Sequence, residues 1–263
     1  MARRALGTTI VAAAIALVAG SAPPSRVRAD AVEHRILEYS VVDTETDQEL
    51  YRLRGWSEDV PGEPPRVAAL SHVLFPAGNR IEVRVLFSHD TPPRCLSWEA
   101  FIRDRDGDVV GSTREVVVQD AFPFLRRSMP PDTYPPLAPL GYVLTRLGLG
   151  EKEHASFHVI LMGSSVLSMD LSVDARERVV VPAGEFDAYR VRMRVNPESL
   201  FPNLPAFARP FVAFFIPTHT LWLSASAPQM LVKFSGQMGP PGSPKLRVDL
   251  ISVTEPTPPS SRP

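Results

Sequence analysis

The sequence is poor in the residues that carry most metal, redox and nucleophilic chemistry. It has one cysteine, Cys95, and 6 His in 263 residues. A single Cys excludes an internal disulfide and any multi-cysteine zinc or iron–sulfur site. Charge is scarce on balance: 28 Lys+Arg stand against 29 Asp+Glu, a formal net of −1. The chain therefore lacks the basic footprint of a general nucleic-acid binder. Lysine is nearly absent, with Lys152, Lys233 and Lys245 alone among the arginines. A phosphate-cradling Gly-rich loop and a dinucleotide fingerprint are both missing. Gly163-Ser164-Ser165-Val166 does not complete the Gly-x-Ser-x-Gly elbow of a serine hydrolase. Apolar runs are short too. The run from about Ile10 to Ala19 falls well below the roughly 20 residues that a membrane-spanning helix needs.

That run belongs to an address. Arg3 and Arg4 precede it, and Val27-Arg28-Ala29 follows with small residues at the −3 and −1 positions. Residues 1–29 read as a secretory signal peptide cleaved after Ala29. Gly20-Ser21-Ala22 is a second cleavage candidate, and an uncleaved membrane anchor is the alternative reading. Membrane contact is expected through this peptide alone, and the mature protein is expected in the periplasm or secreted. The peptide takes four Arg with it, which leaves 24 basic against 29 acidic residues. The remaining domain is mildly acidic, which favours solubility.

The rest reads as mainly β. Arg80 to Ser88 alternates cleanly, with Ile81, Val83, Val85 and Phe87 on one face and Glu82 and Arg84 on the other, the half-buried pattern. Pro76-Ala77-Gly78-Asn79 joins it to Val67–Phe75 as a hairpin. Asp104 to Asp108 joins Cys95–Arg103 to Val109–Val118 in the same way. Strands are expected again at Phe157–Met162, Ser165–Val173 and Arg178–Val181, then from Tyr189 to Val195 after the turn Pro182-Ala183-Gly184. Thr220–Ser224, Met230–Ser235 and Lys245–Val253 close the series. Proline, at 28 residues against 15 Gly, punctuates this pattern, because Pro inside a helix costs about 3 kcal/mol. It crowds residues 119–140, either a linker or a long packed crossing, and a tail at 256–263. Leu137, Leu140, Leu144 and Leu147 have helical spacing, as do Leu204, Phe207, Phe211 and Phe214.

One stretch is distinctive. Val181, Ala183, Gly184 and Phe186 form a V-x-A-G-x-[FY] hairpin, followed by Trp222 and Ser224 in a Trp-x-Ser strand and by closing strands at Met230–Phe234 and Arg247–Leu250. Over about residues 155–253 this resembles an uncharacterised family of exported bacterial proteins, the domain of unknown function 3108. Ser226 stands near where that family often has an acidic residue. The resemblance implies a periplasmic, strongly curved antiparallel sheet. It also looks faintly like the half-barrel lipoprotein carriers, whose sheet wraps an apolar cavity closed by short helices. No catalytic residues come with it.

The expected architecture is a single β-rich domain over residues 30–255. It is one strongly curved antiparallel sheet or half-barrel, with two or three short helices packed on or capping its concave side. Each candidate site also has a plainer reading. Asp104, Asp106, Asp108 and Glu115 have the acid spacing of a calcium loop, but Val109 stands where the loop needs Gly, so a solvated turn is preferred. His154 and His158 have no identifiable third ligand, so no metal and no cofactor are expected. Cys95 reads as a buried thiol. Arg190, Arg192 and Arg194 line one strand face and could hold a phosphate or lipid headgroup, although pairing with carboxylates across the sheet is the commoner arrangement. Phe207, Phe211, Phe214 and Phe215, with Leu140, Leu144 and Trp222, could form a lid or an apolar cavity. The functional expectation is a non-enzymatic envelope protein binding a lipid or apolar small molecule. The alternative is an envelope scaffold with a filled core and a protein partner, and less favoured is a hydrolase with an unrecognised site. Nucleic acid is not an expected partner.

Overall fold

The computed structural model describes residues 35–115, 130–135, 139–150, 152–161, 165–200, 205, 207, 216–237 and 243–255. The expected signal peptide, much of the Pro-rich stretch 119–140, Phe211, Phe214, Phe215 and the expected tail at 256–263 lie outside these residues. Strands alternate with turns along the chain: β1 (Ile36–Asp43), β2 (Glu49–Val60), β3 (Arg66–Leu74), β4 (Arg80–Ser88), β5 (Cys95–Arg103), β6 (Val109–Glu115) and β7 (Thr133–Tyr134). The second series is β8 (His154–Leu161), β9 (Ser165–Val181), β10 (Gly184–Val195), β11 (Thr218–Ser224), β12 (Leu231–Gln237) and β13 (Lys245–Thr254). Two short helices accompany them among the described residues, α1 (Leu140–Leu144) and α2 (Pro197–Leu200).

All 13 strands join one open, curled sheet in the order β6-β5-β4-β3-β2-β1-β13-β12-β11-β10-β9-β8-β7. Neighbours are antiparallel except the two-residue pairing of β7 with β8. The sheet is therefore two meanders joined through β1 and β13, the first and last strands of the chain. Tyr39 on β1 shows why that seam holds. Its ring is fully buried, and its hydroxyl donates to the Leu231 carbonyl on β12 at 3.0 Å. Burial raises the Tyr39 phenol far above its ordinary value, so it stays a neutral donor.

Period-two alternation puts one side of every strand inward. Leu37, Tyr39 and Val41 of β1 continue across the register into Leu53 of β2, Val73 of β3 and Ile81 of β4 on one side. On the other side they run into Val248 and Leu250 of β13, Phe234 of β12 and Leu221 of β11. All of these are buried. At about 25 cal/mol per Å² of apolar surface removed from water, this shared face is the main source of stability.

Three expectations need correction. Strand β9 is continuous over 17 residues, not two strands separated near residue 175. Asp174 is an extra residue between the pairs Val191↔Val173 and Arg190↔Ala175, and such a bulge shifts the alternation while the ladder continues. The helix expected from the leucine spacing is shorter, just the five residues of α1. Helix α2 falls where none was expected. Asn196 begins it, accepting the Glu198 N–H on its side chain at 2.9 Å, with Pro197 at the first helical position, where its missing N–H costs nothing.

His219 gives a pH test of the core. Its ring stacks on Phe234 with centroids 5.7 Å apart. Gly236 makes room for it, since a Cβ there would lie 2.3 Å from Nδ1. Burial holds the His219 imidazole below its ordinary value of 6.5, and half-buried His72 shifts the same way for the same cause. Between the folded and ordinary values the unfolded chain binds more protons, so acidification favours unfolding. Stability is expected to fall as pH drops from 6.5. In urea titrations at stepped pH, His219→Phe should flatten that limb, leaving the smaller share from His72. An unchanged slope would show that His219 does not carry it.

Candidate functional site

The concave side of the sheet is where the expected lid belongs, and α1 sits there. All five α1 residues, Leu140, Gly141, Tyr142, Val143 and Leu144, are buried. Tyr142 stacks on Phe87 of β4 with centroids 4.8 Å apart. Tyr134 of β7 joins the same cluster, 6.1 Å from Phe87 and 6.1 Å from Phe157 of β8. Its hydroxyl donates to the Pro93 carbonyl at 2.7 Å. Burial pushes the Tyr142 phenol up to about 12. Leu140 and Leu144 are thus core residues of a plug, buried on every side. A side chain lining a cavity that admits water keeps accessible surface there. Tyr39, Val41, Leu221, Val191 and Leu250 on the inner face of the central strands keep 0%.

Of the remaining lid residues, Phe211, Phe214 and Phe215 lie outside the described residues. Phe207 is described and stands 78% exposed. Trp222 lies on the outer face of β11, where its Nε1 donates to Glu177 Oε1 at 2.7 Å and the Lys233 ammonium lies 5.5 Å from the ring centre. The arginine stripe of β10 also faces outward. Arg190 pairs with Glu177 at 3.2 Å and Arg192 with Asp174 at 2.8 Å. The β9 bulge is what presents Asp174 there. Arg194, the third, lies opposite Asp170 in the register.

Polar groups singled out in the sequence have structural employment. Asp104 caps its own hairpin turn, its carboxylate accepting the N–H groups of Asp106 at 3.0 Å and Asp108 at 2.9 Å. Among the described residues no group of three His, Cys, Asp or Glu side chains could hold a metal ion. Cys95 is partly buried, and burial raises its thiol above the ordinary value, which disfavours the thiolate that nucleophilic attack needs.

One pairing was not anticipated. His158 Nδ1 lies 3.0 Å from Asp132 Oδ1, and the His158 N–H donates to the Asp132 carbonyl at 3.0 Å. Asp132 also borders an open recess with Asp90, Thr91, Pro92, Arg94 and Pro131. A carboxylate on Nδ1 is the orienting half of a nucleophilic triad. Among the described residues, no hydroxyl or thiol is hydrogen-bonded to the other ring nitrogen. The pair fastens β7 to the sheet edge. Nothing in the local sequence signals it, because Asp132 and His158 meet only through the parallel pairing.

No family model matches the chain, and no curated protein matches it. Two solved structures are similar at low identity. One is a candidate lipoprotein of Parabacteroides distasonis ATCC 8503, 12% identical, covering 85% of this chain and 96% of its own, with a TM-score of 0.39. The other is a candidate exported protein with a YmcC-like fold from Bacteroides fragilis NCTC 9343, 10% identical, covering 90% of this chain and 99% of its own, with a TM-score of 0.37. At that level neither carries an argument about what this chain does.

Proposed function

We propose that this chain is an exported, non-catalytic protein of the cell envelope that works as a protein-interaction module on a filled core. The observation that carries the reading is the packing of the concave side: α1 occupies it and the central inner-face side chains retain no accessible surface. A carrier of the half-barrel kind needs that space for its ligand. The leader-like residues 1–29 support export. The open sheet supports docking, because β6 ends it with an unpaired edge among the described residues. Exposed Val109 and Val110 lie on β6, Val110 at 64%, with exposed Ile102 beside them on β5. An unpaired apolar edge is a ready template for an added strand.

The second reading is an apolar ligand such as a lipid, bound by the Phe-rich sequence that contains Phe207, Phe211, Phe214 and Phe215. The exposure of Phe207 favours it, since a large exposed aromatic fits a contact surface. Native mass spectrometry of the mature protein from its own compartment, with lipid extraction, separates the two. The interaction reading expects a lipid-free protein whose assemblies disappear with Val110→Pro while the fold persists. A stoichiometric co-purifying lipid, retained in that variant, would replace it with the ligand reading.

A further inference from the structure

Strands β11, β12 and β13 meet the β1–β2 turn around an open recess of about 320 Å³, lined by Thr44, Thr218, Thr220, Ser235, Gln237 and Lys245 together with Pro217 and Gly236. No carboxylate is in that lining. The register explains the composition. Thr220 lies opposite Ser235, Ser235 opposite Arg247, and Gln237 opposite Lys245. These side chains share the outer face in two neighbouring rows, and directly opposed residues stand about 5 Å apart at Cβ. On the β10 side, Arg192 faces Thr220 and Arg194 faces Thr218. Each row of hydroxyl and amide groups is thus flanked by basic residues on both sides.

The cations differ in one respect. Arg192 is held by Asp174 at 2.8 Å, and Arg247 by Asp249 at 2.8 Å and Asp47 at 3.2 Å. The Lys245 ammonium makes no ion pair and no hydrogen bond among the described residues, and neither do the hydroxyls of Thr218, Thr220 and Ser235. Thr44 differs, its hydroxyl already donating to the Lys245 carbonyl at 3.1 Å. An uncompensated ammonium beside three unengaged hydroxyl donors is suited to a group with several acceptor oxygens and negative charge. The expected arginine stripe has its counterpart here, three strands over on β13, where the cation is not neutralised among the described residues.

We propose that this recess binds a phosphate-type oxyanion, with Lys245 as the counter-ion and Thr218, Thr220 and Ser235 as donors. The site is independent of what fills the concave side. The oxyanion could arrive free or as the headgroup of an anionic lipid, and one experiment has an arm for each. Amide resonances are followed by NMR while inorganic phosphate is titrated into the full mature chain, and vesicles of phosphatidylglycerol or phosphatidylcholine are tested by co-sedimentation. Binding is expected to shift the amides of residues 218–220, 235–237 and 245. Lys245→Gln should weaken it about tenfold, the scale of one charge-assisted hydrogen bond, and Thr220→Val should weaken it less. Lys152→Gln, a change of the same charge elsewhere, should leave it intact. Phosphate binding without vesicle binding assigns a soluble ligand. Vesicle binding that needs phosphatidylglycerol and Lys245 assigns a headgroup. The proposal is overturned if neither probe binds, or if binding survives Lys245→Gln undiminished.

Discussion

Leu144→Asp is expected to abolish the native fold. Leu144 has no accessible surface, and its helix neighbours are buried on every side. The substitution removes a buried leucine, worth about 2–5 kcal/mol. It also places a carboxyl group where no water or partner reaches it, at a further cost of several kcal/mol. Domains of this kind have about 5–15 kcal/mol in total. The variant should therefore lose cooperative thermal unfolding and near-ultraviolet circular dichroism together. A hinged lid predicts the opposite: the helix would swing out, and the sheet would unfold near the wild-type temperature. That outcome would show that α1 is dispensable to the core and would reopen the concave side to a ligand.

Phe87→Ala should cost about 3–5 kcal/mol, read as a lower urea midpoint at unchanged slope. Phe87 is where three parts of the chain converge: its own strand β4, the plug through Tyr142 at 4.8 Å, and the edge strand β7 through Tyr134 at 6.1 Å. A truncation there leaves a cavity lined by two tyrosines, and neither can move in without losing its own packing. The stacked pair should also show coupling. A double-mutant cycle with Tyr142→Leu is expected to return about 0.5–1.5 kcal/mol of interaction, the usual range for aromatic pairs. Additive effects would mean that the two rings merely share a neighbourhood.

The strands and hairpins were the legible part of this sequence. Ile81, Val83, Val85 and Phe87 face inward together, and the turns at Pro76–Asn79 and Asp104–Asp108 join the expected strands. Local periodicity and turn chemistry are enough for that. The β9 bulge was not legible, since a single extra residue at Asp174 imitates the end of a strand. The depth of α1 was not legible either. Leucine spacing reports one apolar stripe, while Gly141, Tyr142 and Val143 carry the burial around the rest of the helix. At the candidate sites the limit was pairing between distant strands. Arg190 to Arg194 were conspicuous because they lie on one strand. The carboxylates that neutralise two of them, and the Thr220, Ser235 and Lys245 grouping, exist only once β9 to β13 are in register.

The joining of the two meanders through β1 and β13 also governs when this protein can exist. Ser252 on β13 donates to Glu38 on β1 across 214 residues of sequence, so the centre of the sheet is its least local part. Contacts of such long separation form late and slowly. Until β13 has left the ribosome, β1 to β6 and β7 to β12 are two half-sheets, each with an apolar inner face and an unsatisfied edge. A chain cut before Lys245 would keep nearly all of its hairpins and still have no centre. Completion of the sheet waits for the last strand to arrive.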